Sequence, residues 1–373
     1  MTKRKPLNGI FFKEQAEALK RMGHDVVIAF PEMVSLKEVF NSKEMGITIK
    51  TENGVKTYRH KGYYLYPGIK SMAKSVFFKR LLDLYKLIIL NEGKPDIIHA
   101  HSCLWGGWAA ARLSKITGIP LVITEHSSVI GKKVISEGYK KNVAESLNHA
   151  SKVIVVGDDL KSTITDFIPA EKVEVIPNIV NIDKFKLVPA MNKRKKFRFF
   201  SLAFLTHNKG MDILIKAFAK SFRNNEDVEL VIGGAGNEEQ NLKRLTMDLS
   251  IENKISFIGE LDRAKVIKEM QQSDVFVLAS RYETFGVVYI EALSCGKPII
   301  ATACGGPNSI VNEINGLIVP VEDIDSLSEA MVKIKNSYSD YNSDLIREDC
   351  IRRFSEKAVI RKLEIIYKSI TNN

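Results

Sequence analysis

Short apolar runs recur along this chain, each separated from the next by a stretch of helical character. In the first half, Val26–Phe30 follows a helical segment from about Phe11 to Met22, and Asp96–Ala100 precedes a small-residue helix from about Gly106 to Thr117. Leu121–Thr124 and Val153–Val156 continue the series. The second half repeats it with Phe199–Leu205, Val228–Ile232, Ile255–Ile258, Val275–Ala279 and Lys297–Ala301. A strand without polar alternation is buried on both faces, which requires a parallel sheet with helices on either side. The two series are parted by Ile176-Pro177-Asn178 and the basic cluster Lys193-Arg194-Lys195-Lys196, a hydrophilic break suited to a linker. The spacing therefore predicts an α/β chain of two doubly wound domains, with ligands at the carboxyl ends of the strands. At 373 residues each domain has room for its own core.

Composition removes several function classes. No run approaches the roughly 18 apolar residues of a membrane span, and the basic start leads into no apolar leader. Cys103, Cys295, Cys304 and Cys350 have no metal-like spacing and suggest a reduced, cytoplasmic protein. Residues 1–190 hold 29 Lys and Arg against 19 Asp and Glu, so nearly all of the net charge of +11 lies there. Such a half suits an anionic surface or substrate. Lys70–Lys86, with Lys74, Lys79 and Arg80 among Phe77, Phe78, Leu81 and Leu82, reads equally as an interfacial helix or as a core helix with a solvated face. No nucleic-acid motif accompanies the charge.

The densest chemistry lies between Ser280 and Gly306. Ser280-Arg281-Tyr282-Glu283-Thr284-Phe285-Gly286 follows an apolar strand, then come Glu291-Ala292, Cys295-Gly296-Lys297-Pro298 and Cys304-Gly305-Gly306. A strand ending in a Gly-bearing turn that restarts as a helix offers backbone amides to phosphates. With the helix starting near Phe285, Glu283 stands in the loop and Glu291 about two turns in. The ordered series Ser-x-x-Glu-x-Phe-Gly-x4-Glu-Ala-x3-Gly-x-Pro-x-Ile-x4-Gly-Gly resembles the C-terminal signature of the family 4 glycosyltransferases. The resemblance implies the GT-B fold: two Rossmann-like domains facing a cleft, residues 1–186 for the acceptor and 187–355 for the nucleotide sugar, and a helix of 356–373 crossing back. It implies retaining, metal-independent transfer with no cofactor beyond the nucleotide-sugar substrate.

Site residues follow from the same resemblance. Glu291 would accept from ribose hydroxyls and Glu283 from sugar hydroxyls. Lys209, the backbone of Phe285 and Gly286, and Asn208 would face the departing diphosphate, with Gly236 in a turn lining the donor cleft. His126 in Thr124-Glu125-His126, and Gly9, would close the site from the first domain. His99-Ala100-His101 is similar to a further motif of that domain. The acceptor is expected to be a glycan or lipid-linked, with Tyr58, Lys61, Tyr63, Tyr64, Tyr66 and Lys70 as a basic aromatic surface for it, and the enzyme in peripheral contact with the inner face of an anionic membrane.

The chain departs from the family in three places. Ala203-Phe204 stands where Gly-Arg is usual, so Lys209, helped by His207 or Asn208, would carry more of the leaving-group charge. Ile179 replaces a glycine after the hinge-like Val175-Ile176-Pro177-Asn178. The first recognisable element is a helix where relatives begin with a strand, so the sheet is expected to lack a central strand and the natural start to lie upstream. Gly233-Gly234-Ala235-Gly236 invites a dinucleotide reading, but Glu239 stands where G-x-G-x-x-G needs glycine. The rivals are a sugar-nucleotide binder without turnover, a nucleotide-sugar 2-epimerase of the same fold, and a nicotinamide-dependent oxidoreductase, which this loop disfavours.

Overall fold

The computed structural model describes residues 10–34, 45–63, 70–127, 130, 137–188 and 195–371. The chain forms two compact units, one of Met1–Val156, Lys161–Ile176 and Ile360–Asn373, the other of Gly157–Leu160 and Pro177–Val359.

The first unit holds α1 (Ile10–Arg21), β1 (Val27–Val34), β2 (Gly46–Glu52), β3 (Val55–Tyr63), α2 (Lys70–Glu92), β4 (Ile98–His101), α3 (Trp105–Thr117), β5 (Leu121–Glu125), α4 (Glu137–His149) and β6 (Lys152–Val155). After α5 (Asp158–Ile164) comes β7 (Val173–Val175). The strands β4-β5-β6-β7 form a parallel sheet in sequence order, as the apolar runs predict.

The run at Val26–Phe30 departs from expectation. It belongs to a separate three-stranded sheet, ordered β1-β3-β2, in which β1 pairs parallel with β3 and β2 pairs antiparallel with β3. Of β1 only Pro31 and Val34 are buried, so it is not the doubly covered strand its composition suggests. The hairpin β2–β3 turns at Asn53-Gly54, both with positive φ (50° and 80°), the geometry that two-residue hairpins favour. Among the described residues no strand pairing joins the two sheets of this unit.

Tyr58 of β3 is 1% exposed and packs with Leu84 and Ile88 of α2, while its hydroxyl donates to Glu92 Oε1 at 2.5 Å. The expected aromatic acceptor surface is therefore partly core, and its Tyr64 and Tyr66 lie outside the described residues. Along α2, Phe77 meets Trp105 edge-on at 5.7 Å and Phe78 meets Trp108 at 6.2 Å. These contacts set both half-buried phenylalanines against α3.

The second unit is wholly parallel. It comprises β8 (Phe197–Leu202), α6 (Met211–Phe222), β9 (Val228–Gly233), α7 (Glu239–Asp248), β10 (Ile255–Phe257), α8 (Arg263–Gln272), β11 (Val275–Leu278), α9 (Val287–Ser294), β12 (Ile299–Thr302), β13 (Gly316–Val319), α10 (Ile324–Asn336) and α11 (Ser343–Phe354). The sheet runs β10-β9-β8-β11-β12-β13, with Phe199, Leu230, Ile232, Val277, Ile299 and Ile300 fully buried. In order of appearance this is 3-2-1-4-5-6, the Rossmann order, which reverses direction between β8 and β11. The last helix, α12 (Glu356–Thr371), begins in the second unit, and from Ile360 onward it belongs to the first. Its Ile360, Leu363 and Ile366 are buried, and the Tyr367 hydroxyl lies 2.6 Å from His99 Nδ1.

Candidate active site

At the switch point of the second unit, the turns that follow β8 and β11 meet. Lys209 lies in the first and Glu283 in the second, and Lys209 Nζ approaches Glu283 Oε1 to 2.5 Å. The same oxygen accepts from Ser280 Oγ at 2.9 Å. Ser280 is itself fixed, because Thr302 Oγ1 donates to its carbonyl at 2.5 Å. Asn208 ties the turns together: its Nδ2 donates to the Tyr282 carbonyl at 3.0 Å, and its own carbonyl accepts from Arg281 N–H at 2.8 Å. Arg281 spends its fork on Asp212, with Glu322 beside it, and these carboxylates hold its pKa above the ordinary arginine value.

Gly286 precedes α9 with φ of 92°, a conformation that side chains with a Cβ rarely adopt. The helix starts at Val287, two residues later than the sequence suggests, so Glu291 sits just over one turn in rather than two. Phe285 turns its ring into the core, edge-on to Phe354 at 6.0 Å, so only its backbone can serve a ligand. Gly305-Gly306 closes on this loop: Glu283 N–H donates to the Cys304 carbonyl at 3.1 Å and Gly306 N–H to the Glu283 carbonyl at 2.8 Å. The turn after β9 joins from the other side, where Leu205 N–H donates to the Ala235 carbonyl at 3.0 Å. A Cβ on Gly236 would stand 2.1 Å from the Leu205 carbonyl oxygen, so this close approach admits only glycine.

Glu291 is 2% exposed, and Arg263 NH1 meets its Oε1 at 2.5 Å. Burial pushes the carboxyl pKa up, while the guanidinium opposes that rise. Arg263 carries no local sequence signal, being one of the charged residues of a polar helix. Phe204, in the place of the expected arginine, is 56% exposed.

The first unit holds a different cluster. His126 Nε2 lies 3.2 Å from His101 Nδ1, His101 stacks on His99 at 4.8 Å, and His99 Nε2 lies 2.7 Å from Thr124 Oγ1. Phe11 and Phe12 pack on His126 and His101 at 4.6 and 4.7 Å. Burial holds His99 well below the usual imidazole range and His101 at about 4, so both rings are neutral at pH 7. Glu125, between Thr124 and His126, is fully buried. Its two oxygens accept from the backbone N–H groups of Cys103, His126 and Ser127 at 2.7, 2.9 and 2.6 Å. Thus Lys209, Asn208, Glu283, Phe285, Gly286 and Gly236 share neighbouring turns, Glu291 is held separately by Arg263, His126 stands in the other unit, and Gly9 lies outside the described residues. Among the described residues no group of three or more His, Cys, Asp or Glu could hold a metal ion, and no helix is long and apolar enough to cross a membrane.

Known proteins share both halves of this arrangement. Residues 9–184 match the family described as Glycosyltransferase Family 4, and residues 181–349 match Glycosyl transferases group 1. The UDP-Gal:alpha-D-GlcNAc-diphosphoundecaprenol alpha-1,3-galactosyltransferase of Escherichia coli is 31% identical over 279 residues, 69% of this chain and 70% of that one. The chain belongs to the family 4, group 1 glycosyltransferases. An uncharacterized glycosyltransferase of Methanocaldococcus jannaschii is 27% identical over 96% of this chain and 93% of its own length. In fold, the enzyme is similar to sucrose-phosphate synthase from Thermosynechococcus elongatus, with a TM-score of 0.79 at 20% identity over 97% and 93% of the two chains. It is also similar to Anabaena HepE solved with UDP and glucose, with a TM-score of 0.74 at 19% identity over 97% and 96%. These neighbours establish the two-domain GT-B architecture of this glycosyltransferase.

Proposed function

We propose that this glycosyltransferase moves a sugar, with retention of configuration, from a UDP- or GDP-linked donor to a glycan or lipid-linked acceptor in cell-surface polysaccharide synthesis. The Lys209–Glu283 pair at the sheet's switch point carries the reading, because it sets a cation beside a carboxylate next to the amino end of α9. Lys209 and the first amides of that helix stabilise the charge that develops as the bond from C1 to the diphosphate breaks. Glu283 orients the sugar through its hydroxyls, and Glu291 takes the ribose. The acceptor oxygen joins C1 on the face the diphosphate leaves, and its proton passes to the departing phosphate. This chemistry needs no metal. Relatives are named for both donors: the Escherichia coli enzyme for UDP-Gal and a diphosphoundecaprenol-linked acceptor, and a Corynebacterium glutamicum mannosyltransferase as GDP-mannose-dependent. The proposed place of work is the inner face of an anionic membrane, and that part rests on the excess of basic residues in the first half.

The test is a thermal-shift panel of UDP-, GDP-, ADP- and dTDP-sugars with NAD as control, followed by product analysis with lipid-linked acceptors. A donor at about 100 times its dissociation constant should stabilise the fold by roughly 2.7 kcal/mol. No shift with any nucleotide sugar would overturn the reading. A shift without transfer to any acceptor would leave a binder rather than an enzyme of this reaction.

A further inference from the structure

Arg263 opens α8, and that end of the helix is fixed: the Asp262 carboxylate caps it by accepting from Lys265 N–H at 2.9 Å. From there the guanidinium lies 4.5 Å from the Phe185 ring centroid while NH1 engages Glu291 Oε1 at 2.5 Å. One face on an aromatic ring and one edge on a carboxylate leave the fork little freedom to turn. Glu291 has its side chain almost wholly out of water, where an isolated carboxylate is unstable and takes up a proton. The distinction matters for a ribose ligand. A carboxylate accepts from both hydroxyls of a vicinal diol, whereas a carboxylic acid gives up part of that acceptor capacity. With Oε1 engaged by the arginine, Oε2 is the oxygen left for the diol.

We infer that Arg263 is a positioning residue, holding Glu291 as an oriented carboxylate and thereby setting how strongly this enzyme discriminates a ribose diol in its donor. The inference rests on the donor-site reading above and adds to it a residue 28 positions from the carboxylate it serves. Arg263 acts through Glu291, so its removal should be felt at the ribose hydroxyls and nowhere else on the ligand. Neither the diphosphate nor the sugar should register it.

The test is calorimetric titration of the full chain with UDP and GDP, their 2′,3′-dideoxy analogues and inorganic pyrophosphate, for wild type, Arg263→Gln and Arg263→Lys. Loss of an oriented charged partner should weaken the better ribonucleoside diphosphate about tenfold in Arg263→Gln. The dideoxy analogue should change less than about twofold, and pyrophosphate not at all. Arg263→Lys keeps the charge without the fork, so its ribo-over-dideoxy preference should fall only about threefold. Should the glutamine variant fold poorly, this lysine variant carries the test. Equal losses for ribo- and dideoxynucleotides would reduce Arg263 to a packing residue and overturn the inference. An unchanged preference in both variants would overturn it too. A wild type that binds neither UDP nor GDP would instead overturn the donor-site reading on which it stands.

Discussion

Lys209 and Ser280 both donate to a single oxygen of Glu283, Oε1, at 2.5 and 2.9 Å, and among the described residues Oε2 accepts no hydrogen bond. The carboxylate is thus fixed by one oxygen and open at the other. Lys209 is also engaged before any donor arrives, so a diphosphate must compete with Glu283 for its charge. Under the proposed function, Glu283→Gln removes the competitor along with the charge proposed to orient the sugar. Turnover should fall roughly 100-fold or more, while affinity for the bare nucleoside diphosphate should hold or rise a few-fold. Steady-state kinetics beside calorimetry would separate the two, and a variant that binds the diphosphate more weakly would contradict the arrangement.

Phe204 leaves a gap in the cation set at the same edge. It is largely exposed, five residues before Lys209, and its carbonyl accepts from Thr206 N–H at 2.8 Å, so the side chain can be exchanged without disturbing the core. Phe204→Arg would supply a fork of donors where the phenylalanine has none. Affinity for UDP or GDP should rise about tenfold. Weaker binding would show that the phenyl ring itself contacts the ligand.

The readability of this site followed distance along the chain. Lys209, Glu283 and Glu291 stand in or just after turns that close a strand, where resemblance to the family's local motifs singles them out. The Arg263–Glu291 pair joins two helices, and no local pattern marks Arg263 among the charged residues of its neighbourhood. The first unit shows the same limit. Val26–Phe30 has the composition of a buried strand, yet its pairing with β3 depends on a hairpin that Lys50, Thr51, Lys56 and Thr57 disguise as a polar loop. Asn53-Gly54 is the local signal for that hairpin. Tyr58 looked like surface because its neighbours are Lys, Thr and Arg, whereas strand alternation turns it inward onto α2.

Gly286 tests whether the turn before α9 is as constrained as it looks. A Cβ there would stand 2.5 Å from Tyr289 Cδ2, and that ring cannot withdraw, being fully buried with its hydroxyl donating to the Leu278 carbonyl at 3.1 Å. Gly286→Ala should cost about 2 kcal/mol or more through strain and overlap together. Gly54→Ala has a similar backbone, φ 80°, but its Cβ meets only Lys20 Cγ at 3.8 Å and should cost about 1 kcal/mol. Denaturant unfolding of both variants gives the comparison, and equal losses would show that Tyr289 yields.

The neutral histidines of the first unit make its stability depend on pH. Burial lowers His101 from 6.5 to about 4, and burial together with the neighbouring His101 lowers His99 well below its ordinary value. A base with a depressed folded-state pKa binds its proton in the unfolded chain first. Its stabilising contribution is therefore complete above pH 6.5 and drains away as pH falls toward 4. For His101 the loss between pH 7 and 4.5 should be about 2 kcal/mol. His60 and His149, also lowered by burial, add to the slope in the same direction, so the wild-type curve alone does not isolate the cluster. His101→Asn removes one titrating ring while keeping a polar side chain toward His126. Its unfolding free energy, measured by urea titration at half-unit steps from pH 7 to 4.5, should vary less steeply than that of wild type. Parallel curves would mean that His101 takes up its proton without opposition from the fold.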